Sequence, residues 1–144
     1  MKKTLFLLLL IAQATISCAD DDTPIQVTQL PQTAQQFIQQ YFAEKEVALA
    51  KQENDFLSKS YKVIFTDGTN MEFDRKGNWT EIECKTSIVP IEIIPEGIVS
   101  YVESKYPGMD IIEIEKDNKT YEIKMSNYIE LEFDSNFNLI DLDL

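Results

Sequence analysis

The stretch Glu72-Phe73-Asp74-Arg75-Lys76-Gly77-Asn78-Trp79 decides the reading of this chain, because it returns as Glu132-Phe133-Asp134-Ser135-Asn136-Phe137-Asn138-Leu139. Both versions run from an alternating apolar and acidic segment into Phe-Asp, then through a short turn that ends on asparagine. Working outward, Tyr61 and Tyr121 keep the same offset of 60 residues. Further upstream the offset becomes 64, relating Leu30-Pro31 to Ile94-Pro95, Phe37 to Tyr101 and Phe42 to Tyr106. A pattern that recurs at fixed spacing predicts two equivalent halves sharing one core. The step from 64 to 60 leaves four extra residues in the first half near Gln52 to Lys59, where a longer hairpin absorbs them.

Each half opens with a helical pattern. Ala34, Phe37, Ile38, Tyr41 and Phe42 fall on one face, with Gln35, Gln36, Gln39 and Gln40 on the other, predicting a helix from about Gln32 to Glu44. Ile98, Tyr101, Val102 and Tyr106 predict a second from about Pro95 to Tyr106, stopped by Pro107-Gly108. Four strand candidates follow each helix. They are Val47–Glu53, Lys59–Thr66, Asn70–Asp74 and Trp79–Cys84, then Ile111–Lys116, Thr120–Ser126, Tyr128–Asp134 and Leu139–Leu144. Apolar residues alternate with charged ones at Tyr121, Ile123, Met125 and at Ile129, Leu131, Phe133, the mark of a sheet with one dry and one wet face. Asp67-Gly68, Lys76-Gly77-Asn78 and Asp117-Asn118-Lys119 supply turns. Prolines keep the segment Ile88–Ile93 out of a central strand, so it reads as the crossover. The expected fold is α+β: two tandem α-β-β-β-β repeats, residues 30–87 and 94–144, forming one antiparallel sheet with both helices packed on one face. Each copy alone is too small to bury a generous core.

A different kind of sequence precedes this body. Residues 1–17 read as a secretion signal, with Lys2 and Lys3 before the apolar run Leu5 to Ile11, which is too short to span a bilayer. Thr15-Ile16-Ser17-Cys18 resembles the lipobox of bacterial lipoproteins, with Thr15 where an aliphatic residue is usual. That resemblance implies cleavage before Cys18 and lipid on its sulfur. An ordinary cleaved signal with an incidental cysteine is the other reading. Asp20, Asp21 and Asp22 resemble the surface-export signal of Bacteroidetes lipoproteins, and also read simply as a solvated linker. Residues 18–29 are expected to form a polar tether carrying the lipidated cysteine, with the protein held at the outer membrane or cell surface through that anchor alone.

Without the leader, 11 basic residues face 25 acidic ones, a net charge of −14. This excludes nucleic-acid binding, which needs cations to displace phosphate counterions, and adhesion to anionic headgroups. The chain has no histidine, so the usual proton shuttle and zinc ligand are missing, and Ser or Cys triads lose their base. Cys84, the one thiol left if Cys18 is lipidated, reads as a small apolar strand residue rather than a nucleophile. The Asp134–Asn138 segment opens like a calcium loop, but Leu139 stands where glycine is needed and no glutamate follows at the twelfth position, so it reads as an Asx turn. No catalytic residue, metal site or cofactor is assigned. Trp79, Glu113, Glu115, Tyr128, Glu130 and Glu132 are the candidate contacts for a partner, the acidic ones as the wet face of the sheet and the aromatics as anchors, with core or sheet-edge packing an equal reading for Trp79 at the start of its strand.

Taken in order, Gly77-Asn78-Trp79 with Glu81 to Cys84, Val89-Pro90 before Ile94-Pro95, Tyr106-Pro107, Ile112 to Lys116, Tyr121-Glu122-Ile123 and Glu132-Phe133-Asp134 with Ile140-Asp141 resemble the PepSY-like family of secreted bacterial proteins, described as similar to β-lactamase inhibitory protein. The resemblance covers the chain from about Leu30 to Leu144. It implies tandem α+β repeats and a secreted, non-catalytic protein, with inhibition of a peptidase or related enzyme suggested by similarity. The expected function is therefore an envelope-anchored binding or inhibitory module that presents an acidic sheet face to a protein or peptide. The alternatives are a structural envelope lipoprotein without a dedicated partner, and an enzyme acting on glycans through paired carboxylates.

Overall fold

In the computed structural model, which describes residues 22–144, one antiparallel sheet carries two helices. Strand β1 (Thr23–Ile25) leads through a 3-10 turn (Val27–Gln29) into helix α1 (Gln32–Tyr41) and strands β2 (Val47–Asp55), β3 (Ser58–Phe65), β4 (Asn70–Phe73) and β5 (Trp79–Glu83). A second 3-10 turn (Ile91–Ile93) leads into α2 (Glu96–Lys105) and strands β6 (Ile111–Lys116), β7 (Thr120–Met125), β8 (Glu130–Asp134) and β9 (Leu139–Asp143). The nine strands lie side by side in chain order, each antiparallel to the next. Pro31 and Pro95 stand at the N-caps of the helices, where the missing N–H costs nothing.

Sequence alternation places the core on one side of this sheet. Val63, Met71, Ile82, Ile114, Ile123 and Leu131 follow one another through direct pairing and are all buried. Both helices cover that side. Phe37 of α1 meets Phe73 edge-on at 6.1 Å, and Tyr101 of α2 meets Phe133 at 5.3 Å. The β2–β3 hairpin is the longer of the two that follow the helices, with pairing continued out to Asp55 opposite Ser58.

Two expectations are corrected. The segment 18–29 was expected to be a tether, yet residues 23–25 pair with β2 as a ninth strand. Its brevity and Pro24 suit an edge position, where unpaired backbone groups invite aggregation. The second correction concerns strand alternation. Bulges interrupt the pairing of β4 with β5 and of β8 with β9, so that Phe73 faces Trp79 and Phe133 faces Leu139, each skipping one residue. Further irregularities fall between Val47 and Leu49 and between Ile111 and Glu113. An extra residue at a bulge rotates the following side chain to the other face.

The two turns quoted at the outset are built alike. Asp74 accepts hydrogen bonds from the backbone N–H groups of Lys76 (2.8 Å) and Asn78 (2.9 Å), and Asp134 from those of Asn136 (2.8 Å) and Asn138 (2.9 Å). Gly77 and Phe137 occupy the same left-handed position, at φ 86° and 64°. The bulk is exchanged across the helix contact. A Cβ on Gly77 would lie 2.7 Å from Pro31 and 2.9 Å from the Ala34 nitrogen. In the other half the small residue sits on the helix instead: a Cβ on Gly97 would lie 2.9 Å from Phe137.

Candidate functional site

The side of the sheet away from the helices is defined by the residues between the core positions. Direct pairing runs Glu72 to Glu81, Glu81 to Glu115, Glu115 to Glu122, Glu122 to Glu132 and Glu132 to Asp141. Six carboxylates thus stand in register across β4 to β9, over roughly 24 Å at the usual strand spacing of about 4.8 Å. Like charges directly opposite one another on a sheet are destabilising, so this row is held against its own repulsion by the apolar core beneath.

Cations serve the margins of this face. Lys62 reaches Glu72 at 2.8 Å, and Lys124 bridges Glu130 at 2.6 Å and Glu113 at 3.3 Å. Lys85 reaches Glu83 at 3.2 Å. Among the described residues, no ion pair involves Glu81, Glu115, Glu122 or Glu132. The electrostatic consequence is clearest at Glu81, whose carboxyl is pushed up to about 7 by burial first and then by Glu72, Glu113 and Glu115. Burial, followed by Glu115, Glu130 and Glu132, also raises the pKa of Glu122.

The carboxylates singled out from sequence, Glu113, Glu115, Glu130 and Glu132, are brought together on this face. Glu81 and Glu122 belong with them, and the regular alternation of β5 and β7 would have found both. Trp79 is not on the face. The bulge in β5 turns it beneath α1, where its ring lies 6.4 Å from that of Phe37 and the Lys116 ammonium sits 3.8 Å from its centroid. Tyr128 stands at the end of the sheet, 74% exposed and at φ 65° in the turn between β7 and β8. A shallow depression there is lined by Cys84, Lys85, Glu113, Lys124 and Tyr128. Cys84 is buried, and burial raises its thiol pKa, as suits a packing residue.

Among the described residues, no three acidic, cysteine or histidine side chains converge so as to hold a metal ion. Asp134 spends its carboxylate on its own turn, where the backbone N–H of Asn138 first and its side chain second lower its pKa. No helix among the described residues is long and apolar enough to cross a membrane. Cys18, Asp20 and Asp21 lie outside the described residues. Asp22 is exposed and pairs with Lys51 at 2.5 Å.

A small antiparallel sheet with two helices on one side and an open acidic face on the other defines an α+β module without a deep cleft. The particular family follows from comparison. Residues 59–141 match the family model described as "Putative beta-lactamase-inhibitor-like, PepSY-like", and the chain belongs to that PepSY-like family. It is similar to a solved structure from Bacteroides thetaiotaomicron, a "putative calcium-regulated periplasmic protein", at 60% identity, TM-score 0.85 and coverage of 88% of this chain and 99% of that one. A "putative periplasmic protein" from Bacteroides vulgatus is 53% identical, with the same coverage and TM-score. Another, of unknown function and from the same species, is 35% identical with TM-score 0.81, covering 85% of this chain and 99% of that one. No curated protein matches the chain.

Proposed function

We propose that this protein is a non-catalytic envelope module whose acidic sheet face receives a basic segment of another protein or peptide. The observation that carries the reading is the in-register row Glu81, Glu115, Glu122 and Glu132 without paired cations. A ligand bearing lysines or arginines at extended spacing relieves that repulsion on binding. The complementarity sets encounter rate and register more than raw affinity. The inhibitor-like family supports a binding role.

The two halves are best understood as tandem repeats. Each carries a 3-10 turn, a helix, four strands, an Asx turn and bulges in matching places. We place the protein at the outer membrane, lipid-anchored through Cys18, in keeping with relatives described as periplasmic. Cys18→Ala should move it from the membrane to the soluble fraction, and unchanged fractionation refutes the anchor.

The binding reading is tested by titrating an extended Lys/Arg-rich peptide, and its acidic counterpart, against the protein and against a variant carrying Gln at 81, 115, 122 and 132. Binding of the basic peptide alone, weakened by salt and by the four substitutions, is expected. Equal binding by the substituted face rejects the proposal.

A further inference from the structure

The tip of the first hairpin breaks the chemistry of the rest of the surface. Asp55 pairs with Ser58, leaving Phe56 and Leu57 as the two-residue turn, and these side chains are 96% and 90% exposed. A turn of this length ordinarily takes asparagine, aspartate or glycine. Phe-Leu suits neither the turn nor water, and neither residue packs on the core. The corresponding turn of the second half, Asp117-Asn118-Lys119, is polar, with Asp117 accepting hydrogen bonds from the N–H groups of Lys119 and Thr120. The first hairpin is also the longer of the two, with strands of nine and eight residues against six and six. Extra length and an apolar tip therefore occur together, in one half only.

The direction in which the chain enters the domain gives this tip a partner. Thr23 pairs with Gln52 and Ile25 with Ala50, so β1 begins at the end of β2 nearer Asp55 and the tip, with Asp22 beyond it on that side. Lys51 holds that exit, binding Asp22 at 2.5 Å and Glu53 at 2.6 Å. The tip lies four residues beyond Gln52, about 13 Å at the usual strand rise. Cys18 lies five residues before Thr23, within about 17 Å when extended. A lipid on Cys18 can therefore reach the level of Phe56 and Leu57.

We propose that Phe56 and Leu57 are a second membrane contact, inserting into the headgroup and upper acyl region of the same leaflet that holds the Cys18 lipid. The inference rests on the anchor reading given above. A lipid at one point of the chain leaves the domain free to rotate about that point, whereas a second apolar contact fixes its stance. The contact is apolar rather than electrostatic: Asp55 lies beside the tip and its carboxylate accepts the Phe56 N–H at 2.7 Å, while Lys59 lies over the Tyr61 ring. With the hairpin pointing into the bilayer, the strands stand steeply on the membrane and both faces of the sheet remain in water, the acidic row included.

The test uses the full-length protein produced in a lipoprotein-processing bacterium, purified and reconstituted into phosphatidylcholine vesicles. An environment-sensitive fluorophore is placed at Leu57→Cys, or at Asn118→Cys as control, in a Cys84→Ala background. Mass spectrometry reads the lipid on Cys18 independently. A blue-shifted label at 57, quenched by shallow doxyl lipid and relieved by Phe56→Ser, with an unshifted label at 118, is the expected result. A lipidated, vesicle-bound protein whose label at 57 remains in water overturns the proposal and leaves the anchor standing. Absence of lipid on Cys18 overturns the anchor and the inference with it. A blue shift that grows with protein concentration and resists lipid quenching assigns the tip to a second copy of the chain and also refutes membrane insertion.

Discussion

Glu81→Gln tests whether the carboxylate row is held at an energetic cost. Glu81 faces Glu72 on one side and Glu115 on the other, and its carboxyl is pushed from its ordinary 4.5 up to about 7. A shift of that size disfavours the anion by about 3 kcal/mol. Water reaches this side chain, so screening reduces the effect to about 1–2 kcal/mol. The sign follows from linkage. The folded state holds the proton up to about pH 7 and the unfolded chain releases it near 4.5. Stability therefore falls as pH rises through that window, and the penalty is complete above it. Glutamine carries no charge at any pH and has nearly the same shape. Urea denaturation should show Glu81→Gln more stable than the parent by about 1–2 kcal/mol at pH 8, with the difference vanishing near pH 4. A gain of equal size at both pH values, or a loss at pH 8, refutes the argument, because the effect would then be packing or hydrogen bonding rather than the cost of holding a carboxylate charged while partly buried and beside its acidic neighbours.

Other consequences are as direct. Gly97→Ala forces a Cβ to within 2.9 Å of Phe137 and should cost about 1–3 kcal/mol, while adding Phe137→Gly should recover much of that loss; an additive double-mutant cycle by chemical denaturation would contradict the exchange of bulk between the halves. Trp79→Ala should lower stability by about 2–3 kcal/mol yet leave binding of a basic peptide unchanged, since the ring packs under α1; a selective loss of binding at unaltered stability would return Trp79 to the recognition surface. The Lys45 ion pair, followed by the Thr69 N–H, lowers the Asp67 carboxyl to about 2. Asp67→Asn should therefore cost under about 1 kcal/mol at pH 7, and acid titration of stability should show the cost disappear as pH falls from about 4 toward 2; a constant difference would exclude the charge as its cause.

Much of the architecture was legible because alternation and helical spacing are local properties. Ile111–Lys116 matched its predicted bounds, and the other predicted strands shifted by no more than two residues at either end. The helices were shorter than predicted because Phe42 and Tyr106 leave helical geometry as their C-caps, although Phe42 still packs in the core. The strand Thr23–Ile25 was hidden because three residues with a proline carry no period; only the neighbouring edge of β2 makes them a strand. The sequence left Trp79 open between surface and core for a related reason. Strict alternation puts it beside Glu81 and Glu83, but a bulge is a property of two paired strands, and it carries the ring to the other face.

The amino-acid sequence by itself determined the class of fold, the dry and wet sides of its strands and the excess of negative charge, since each follows from residue type and spacing along one chain. Only the tertiary structure decided that Glu72, Glu81, Glu115, Glu122, Glu132 and Asp141 form a single row, and that the chain enters the domain from the side of the Phe56–Leu57 tip. Both depend on register between strands distant in sequence, which is set by how the apolar sides lock together beneath the helices.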